Sequence, residues 1–269
     1  MQKYFILLVA MILSVSAVAF AYERAFDYDN DNADKPKKFG LKYLKQIDDH
    51  VFDLGEVEVK GEKIQGYAFV NKRNSYLHTS GTTAASTCYS FFATGAKWKI
   101  KENWIVNPAN SEGLASSFIL SNMAADIQKW ETAAGKDAFG TGSLTSQQLV
   151  ADSVSPDGKN EVYFADVTDA NAIAVTIVWG IFSGPTYNRK IIEWDQVYDD
   201  VDFSWSSTGA AGKMDFENIA THELGHAFGM GHPGSACTQE TMYYSAAYGE
   251  TKKRSLNAGD KAGVKKLYA

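Results

Sequence analysis

The sequence predicts an α+β fold, on three observations. Residues 161–165, 173–182 and 190–197 form three β-prone runs, with AVTIVWGIF at the heart of the second. Leu114, Phe118, Ile119, Met123, Ile127 and Trp130 form one helical stripe, and Ile219, Ala220, Leu224, Ala227 and Phe228 form another. With 269 residues, 45% of them apolar, the chain can bury one sizeable core plus a smaller appendage.

Taken in order, the chain opens on a targeting segment. Lys3 is a short positive start, residues 5–20 are apolar or small, and Ala19-Phe20-Ala21 has small residues where a signal peptidase reads, so cleavage is expected after Ala21. The run is short for a spanning helix and diluted by Ser14 and Ser16, so no stable membrane anchor is expected. Export permits disulfides, and the localisation expected is extracellular. Residues 22–38 read as a solvated acidic arm. Asp27, Asp29 and Asp31 suggest a calcium loop, but Asn32 and Lys38 stand where its glycine and glutamate belong. Leu41, Leu44, Ile47 and Val51 fit one face of a short helix. Residues 56–70 read as a β-hairpin turning at 61–63, and 71–95 as a Ser/Thr/Ala/Gly-rich connection open to cutting.

From Trp98 the pattern becomes that of a compact domain. Trp104-Ile105-Val106 predicts a strand, and Ser111 a cap for a helix over 112–133. The three β-prone runs follow, the last two as antiparallel neighbours. Asp215 predicts the cap of the second striped helix, with Met214 and Ile219 as a hydrophobic staple. Asn257 and Asp260 predict the start of a last helix ending at Tyr268. The formal net charge of −6 gives no reason to expect nucleic acid, and Lys252-Lys253-Arg254 reads as a solvated turn.

The chemistry lies in His222-Glu223-Leu224-Gly225-His226-Ala227-Phe228-Gly229-Met230-Gly231-His232. His222 and His226 are one helical turn apart, so both imidazoles leave one face. Gly229 can end the helix and turn the chain so that His232 returns as a third ligand. Three histidines leave one tetrahedral position of a zinc ion open, as in catalytic sites. Zinc on neutral imidazoles lowers the pKa of its water toward about 7, and Glu223 would take a proton from that water and deliver it to a departing amine.

This string resembles the metzincin metalloendopeptidases, and Thr241-Met242-Tyr243-Tyr244 resembles their methionine turn. Residues 216–268 look most like the matrixin branch, especially secreted matrixin-like peptidases of archaea and bacteria. The resemblance implies a twisted, mixed five-stranded sheet with an antiparallel edge strand, a long active-site helix, a backing helix and a C-terminal helix, in a catalytic domain over 97–269. It implies that residues 174–179 form the edge against which an extended peptide substrate lies, and that Met242 forms an apolar floor without touching the metal. By the same likeness Tyr243 would shape a substrate pocket and Tyr244 approach the oxyanion. Residues 22–96 are then a pro-segment, with a permanent packing subdomain as the other reading.

Two departures from the vertebrate pattern stand out. Outside the motif only His50 and His78 remain, so no second, structural zinc is expected, and Asp157, Asp166 and Asp169 leave calcium possible but unsupported. The usual cysteine-switch motif is missing. Cys88 and Cys237 either form a disulfide, as an even count in an exported chain favours, or Cys88 fills the open zinc position as a latch. The function expected is a secreted, zinc-dependent endopeptidase acting on protein or peptide. The alternatives are a non-catalytic, zinc-containing peptide-binding module at the cell surface and a related hydrolase of non-peptide amides. The sequence gives no oligomeric state.

Overall fold

The computed structural model describes residues 38–42, 44–74 and 85–269. The signal segment, nearly all of the acidic arm, His78 and residues 75–84 of the connection expected to be cut lie outside these residues. Among the described residues no helix is long and apolar enough to cross a membrane.

The strands, in chain order, are β1 (Lys38–Phe39), β2 (Lys45–Asp48), β3 (Val51–Val59), β4 (Glu62–Arg73), β5 (Ser90–Phe91), β6 (Glu102–Val106), β7 (Phe139–Leu144), β8 (Glu161–Val167), β9 (Ala172–Ile181), β10 (Lys190–Asp199), β11 (Trp205–Ser206), β12 (Met214–Asp215), β13 (Met230–Gly231) and β14 (Ser245–Ala246). The helices are α1 (Ser116–Ala134), α2 (Phe216–Ala227) and α3 (Ala258–Tyr268). One mixed sheet runs β2-β3-β4-β9-β10-β8-β6-β7, with β1 joined to β8 and β14 to β4. It has ten strands rather than the five expected; within it β9-β10-β8-β6-β7 is one contiguous run, in which β9 and β10 are antiparallel and the rest parallel.

The five-strand expectation needs a correction. The strand predicted as the free edge, β9, is internal, because β4 pairs antiparallel along its far side from Gln65↔Gly180 to Lys72↔Ala172. A bare edge of this length leaves a row of unsatisfied amides and carbonyls, which the hairpin β3–β4 covers. The hairpin forms where its alternation predicts, and its turn uses positive φ at both Lys60 (51°) and Gly61 (81°), the combination that suits a tight right-twisted hairpin. Gly66 lies opposite Trp179, and a Cβ there would sit 2.7 Å from the indole ring, so this pairing is built for a residue without a side chain.

Two apolar layers flank the sheet. On one face α1 and α2 bury Trp130, Trp194, Phe216 and Phe228 against it. On the other, Phe52, Ile64, Ala68 and Val70 of the hairpin share a core with Leu149, Ala151, Val175, Ile177 and Trp179. The N-terminal unit thus contributes to the same sheet and core as the rest.

Two local expectations also need correction. No helix forms around Leu44 and Val51: residues 45–48 are strand β2, and the Asp48 side chain accepts the His50 amide at 2.8 Å, closing a turn that competes with helix. Helix α1 starts at Ser116, not after Ser111, since the Asn110 side chain bonds the Leu114 amide and carbonyl at 2.9 Å each and Gly113 is left-handed (φ 71°). Ser111 turns to Asp200.

Candidate metal centre

Helix α2 carries His222, Glu223 and His226 and is held from several sides. The Asp215 side chain caps it, accepting the Asn218 amide at 3.0 Å, and receives Arg254 through both oxygens at 2.8 and 2.6 Å. Trp130 donates to the Thr221 carbonyl (2.8 Å) and Trp98 to the Ala227 carbonyl (2.7 Å). Lys253 departs from the solvated turn expected of the basic run: it is fully buried and donates to the Tyr243 carbonyl, while Arg254 serves the cap. The solvated-turn expectation therefore fails for these two residues. Burial pushes the Lys253 ammonium down to about 8.

Gly229, with φ 99°, turns the chain out of α2, and a Cβ on it would meet Leu267 at 2.7 Å and the Ala96 carbonyl at 2.8 Å. His232 returns so that its Nε2 lies 3.1 Å from His226 Nε2. One ring nitrogen from each of the three histidines lies within 4.8 Å of the others. A tetrahedral zinc with bonds of 2.0–2.1 Å sets its ligand nitrogens about 3.3 Å apart. His222 Nδ1 donates to the Thr241 carbonyl (2.7 Å) and His226 Nδ1 to the Met230 carbonyl (2.9 Å), which fixes the tautomers and leaves both Nε2 lone pairs facing inward. Buried His222 Nε2 has no hydrogen-bond partner. Burial holds all three imidazoles neutral, His226 at about 3 and the other two well below the usual value. An orphaned buried nitrogen and converging neutral lone pairs fit a cation.

Glu223 is fully buried beside the triad. Its Oε2 accepts Thr176 Oγ1 of β9 at 2.5 Å, and its Oε1 has no partner. Burial pushes the carboxyl up to about 7, against the pull of Thr176 and neighbouring Asn71. Met242 lies beneath, its sulfur so close to Gly225 that a Cβ there would stand 2.1 Å from it. Tyr243 donates to the Tyr244 hydroxyl at 3.0 Å, and the Tyr244 ring packs 4.5 Å from His50 and 6.3 Å from His232. The Thr241 and Met242 amides donate to Asp260 at 2.7 and 3.1 Å. Asp260 thereby holds the turn whose Thr241 carbonyl orients His222. Replacing Asp260 by alanine strands two buried amides, at about 1–3 kcal/mol each, and should weaken zinc binding by about 10–100-fold; urea denaturation and competition with a zinc indicator check both.

Cys88 and Cys237 form a disulfide, with Cα atoms 5.6 Å apart, so the latch reading does not apply to the oxidised chain. Sequence reasoning missed His50, Asn71, Thr176, Lys253 and the grip of Asp260 on the methionine turn. Only Asp260 left a signal, as the third residue of a capped helix. Two carboxylate groups also gather away from the triad, Asp152 with Glu193 and Asp195, and Asp166 with Asp199 and Asp202.

The profile of the Matrixin family matches residues 184–269, which include the triad and the turn. The C-terminal segment is matrixin-like. This segment is also similar to named enzymes: the chain is 42% identical over 55 residues to metalloendoproteinase 1-MMP of Arabidopsis thaliana, covering 20% of this chain and 14% of that one. It is 38% identical over 69 residues to human matrilysin, covering 26% and 25%. The chain thus spans a quarter or less of the length of these relatives. Among solved structures, a metalloproteinase-II from Bacteroides fragilis aligns over 82% of this chain and 77% of its own, at 10% identity and a TM-score of 0.33.

Proposed function

We propose that the protein is a secreted, zinc-dependent endopeptidase made as a precursor. The observation that carries this reading is the convergence of three neutral imidazoles beside the buried carboxylate of Glu223, within a matrixin-like segment. His222, His226 and His232 would hold the metal, which when bound supplies a positive charge that acidifies water and polarises a carbonyl. Glu223, neutral or ionised near pH 7 and steadied by Thr176, would move the proton from water to the departing amine. Met242 would floor the site, with Tyr243 walling a substrate pocket and Tyr244 beside it. Incubation with an unstructured protein, with and without a zinc chelator, tests the reading: cleavage should stop with chelation and return with zinc, and cleavage indifferent to the chelator would contradict it.

Residues 1–21 would be removed on export and 22–96 would act as the pro-segment. The position of β4 along β9 supports that role, for a strand there blocks peptide addition. The same position favours the second reading, a non-catalytic module holding an extended segment on β9. Loss of proteolysis with retained zinc and retained peptide binding would select it.

Calcium fits the group Asp152, Glu193 and Asp195. Burial, then neighbouring acids, push Glu193 up to about 9 and Asp152 up to about 6, so the folded state without cation binds protons more tightly than the unfolded chain. Their contribution to stability is therefore greatest near pH 4 and declines as pH rises through 6 toward 9. In a chelator the melting temperature should fall between pH 5 and 7.5. Millimolar calcium should restore it at pH 7.5, and Asp152→Asn with Glu193→Gln should flatten the slope and remove the calcium response.

A further inference from the structure

The groove beside the triad has two walls, and β4 lies between them. On one side it pairs antiparallel with β9; on the other it pairs antiparallel with β3 from Val59↔Glu62 to Val51↔Phe69 and then parallel with β14 at Lys72 and Arg73, just past the methionine turn. Lys72 N donates to the Tyr244 carbonyl (3.4 Å) and Asn74 N to the Ala246 carbonyl (2.7 Å). Alternate residues of β4 face the site. The Phe69 ring stacks on His226 with centroids 4.4 Å apart and planes 12° apart. Asn71, two residues on along the same face, is fully buried, and Thr176, which lies opposite Phe69, holds Glu223; both amide atoms of Asn71 and Glu223 Oε1 lack a hydrogen-bond partner. Phe69 on a metal-ligand candidate and Asn71 beside the carboxylate bracket the backbone of Val70. That residue's own polar groups pair with His50, the amide to its carbonyl (2.8 Å) and the carbonyl to its Nδ1 (3.0 Å).

We propose that β4 is a tethered pseudo-substrate. It lies in the groove antiparallel to β9 and parallel to β14, with Val70–Asn71 as the bond presented to Glu223, and Phe69 and Asn71 mark the pattern the groove accepts. The inference rests on the peptidase reading and adds its substrate class: extended peptides with an aromatic residue, any residue, then a small amide residue. The physical reason is that β9 along the strand, and β14 at the places of Lys72 and Arg73, have their donors and acceptors spaced for one strand, so a peptide that replaces β4 inherits its register, and the side chain two places before Asn71 falls on the flat face of His226. In the reaction, the oxygen of water bonds to the carbonyl carbon of the residue in the Val70 place. The carbon–nitrogen bond then breaks, and Glu223 carries the proton to the nitrogen of the residue in the Asn71 place. The products are a new carboxylate and a new amine.

The test needs β4 loosened without touching the site. Gly66→Ala does this, because its Cβ meets the Trp179 ring on the opposite face of the sheet; Ile64→Lys, from the same buried back layer and away from the triad, is the second variant should the first stay closed or fail to fold. The probe is a labelled peptide copying residues 64–74. With Glu223→Ala added, so that no turnover is involved, the zinc-loaded variants should bind the copy at least tenfold more tightly than a reversed-sequence peptide. With Glu223 intact, mass spectrometry should find the copy cut between the Val70 and Asn71 equivalents, and changing its Phe to Ala or its Asn to Arg should lower kcat/KM at least tenfold. In the wild-type chain, hydrogen exchange at β4 should be as slow as at β9. Equal binding of copy and reversed peptides, a cut at another bond, or fast exchange at β4 would overturn the inference. A variant that digests an unstructured protein yet ignores the copy sinks the inference alone; one that binds the copy in this register but cuts nothing sinks the peptidase reading and leaves β4 as the mark of a binding groove.

Discussion

Glu223→Gln is expected to lower peptide hydrolysis by about 10²–10⁴-fold, the range of a general acid–base group, while zinc content and fold stay as in the parent. The glutamine keeps the shape of the side chain and a hydrogen bond to Thr176, so what is lost is the ability to take and return a proton. Glu223 would suit the proposed task because it is fully buried and its carboxyl is pushed up to about 7, where it could act in both directions. An unchanged peptide affinity alongside the lost rate would locate the defect in the chemical step, and zinc analysis of the same sample would separate it from metal loss. A variant retaining more than a tenth of the parent rate would remove Glu223 from the mechanism.

The second large effect concerns the crosslink. Cys88 and Cys237 stand 149 residues apart in sequence, and tying so long a loop limits the unfolded chain strongly. The chain-entropy treatment puts this at about 5 kcal/mol, a large share of the 5–15 kcal/mol that holds a typical domain together. Replacing both cysteines by serine should therefore lower the free energy of unfolding by up to about 5 kcal/mol. The bond also anchors the segment before the compact domain to the loop before the methionine turn, so zinc binding should weaken with it. Urea denaturation of the variant and the parent, with the zinc state held equal, measures the first; a loss below 1 kcal/mol would contradict it.

The legible part of this protein was the part written in short-range spacing. Two histidines four apart, a glycine that turns the helix end and a capping aspartate each dictate geometry within a dozen residues. The structure brings His222, His226 and His232 together and caps their helix with Asp215. What the spacing could not supply was the pairing of strands far apart in the chain. The free edge expected at residues 174–179 fails for this reason, although β9 did hold a clue: nine of its ten residues are buried, and a near-continuous apolar run marks a strand covered on both faces more than one at an edge. His50 and Asn71 came to the site through β4, a contact no local pattern announces. Lys253 shows a different limit. One lysine in a run of three cations looks solvated until the fold places a buried carbonyl at its ammonium.

The proposed function depends on a metal that His222, His226 and His232 would hold together. X-ray absorption at the zinc edge of the purified full-length chain tests that most directly, compared with His232→Ala. The account predicts one zinc per chain with three imidazole nitrogens at about 2.0–2.1 Å, and a loss of one nitrogen ligand or of the zinc itself in the variant. Zinc bound through sulfur, or a coordination shell that His232→Ala leaves unchanged, would contradict it.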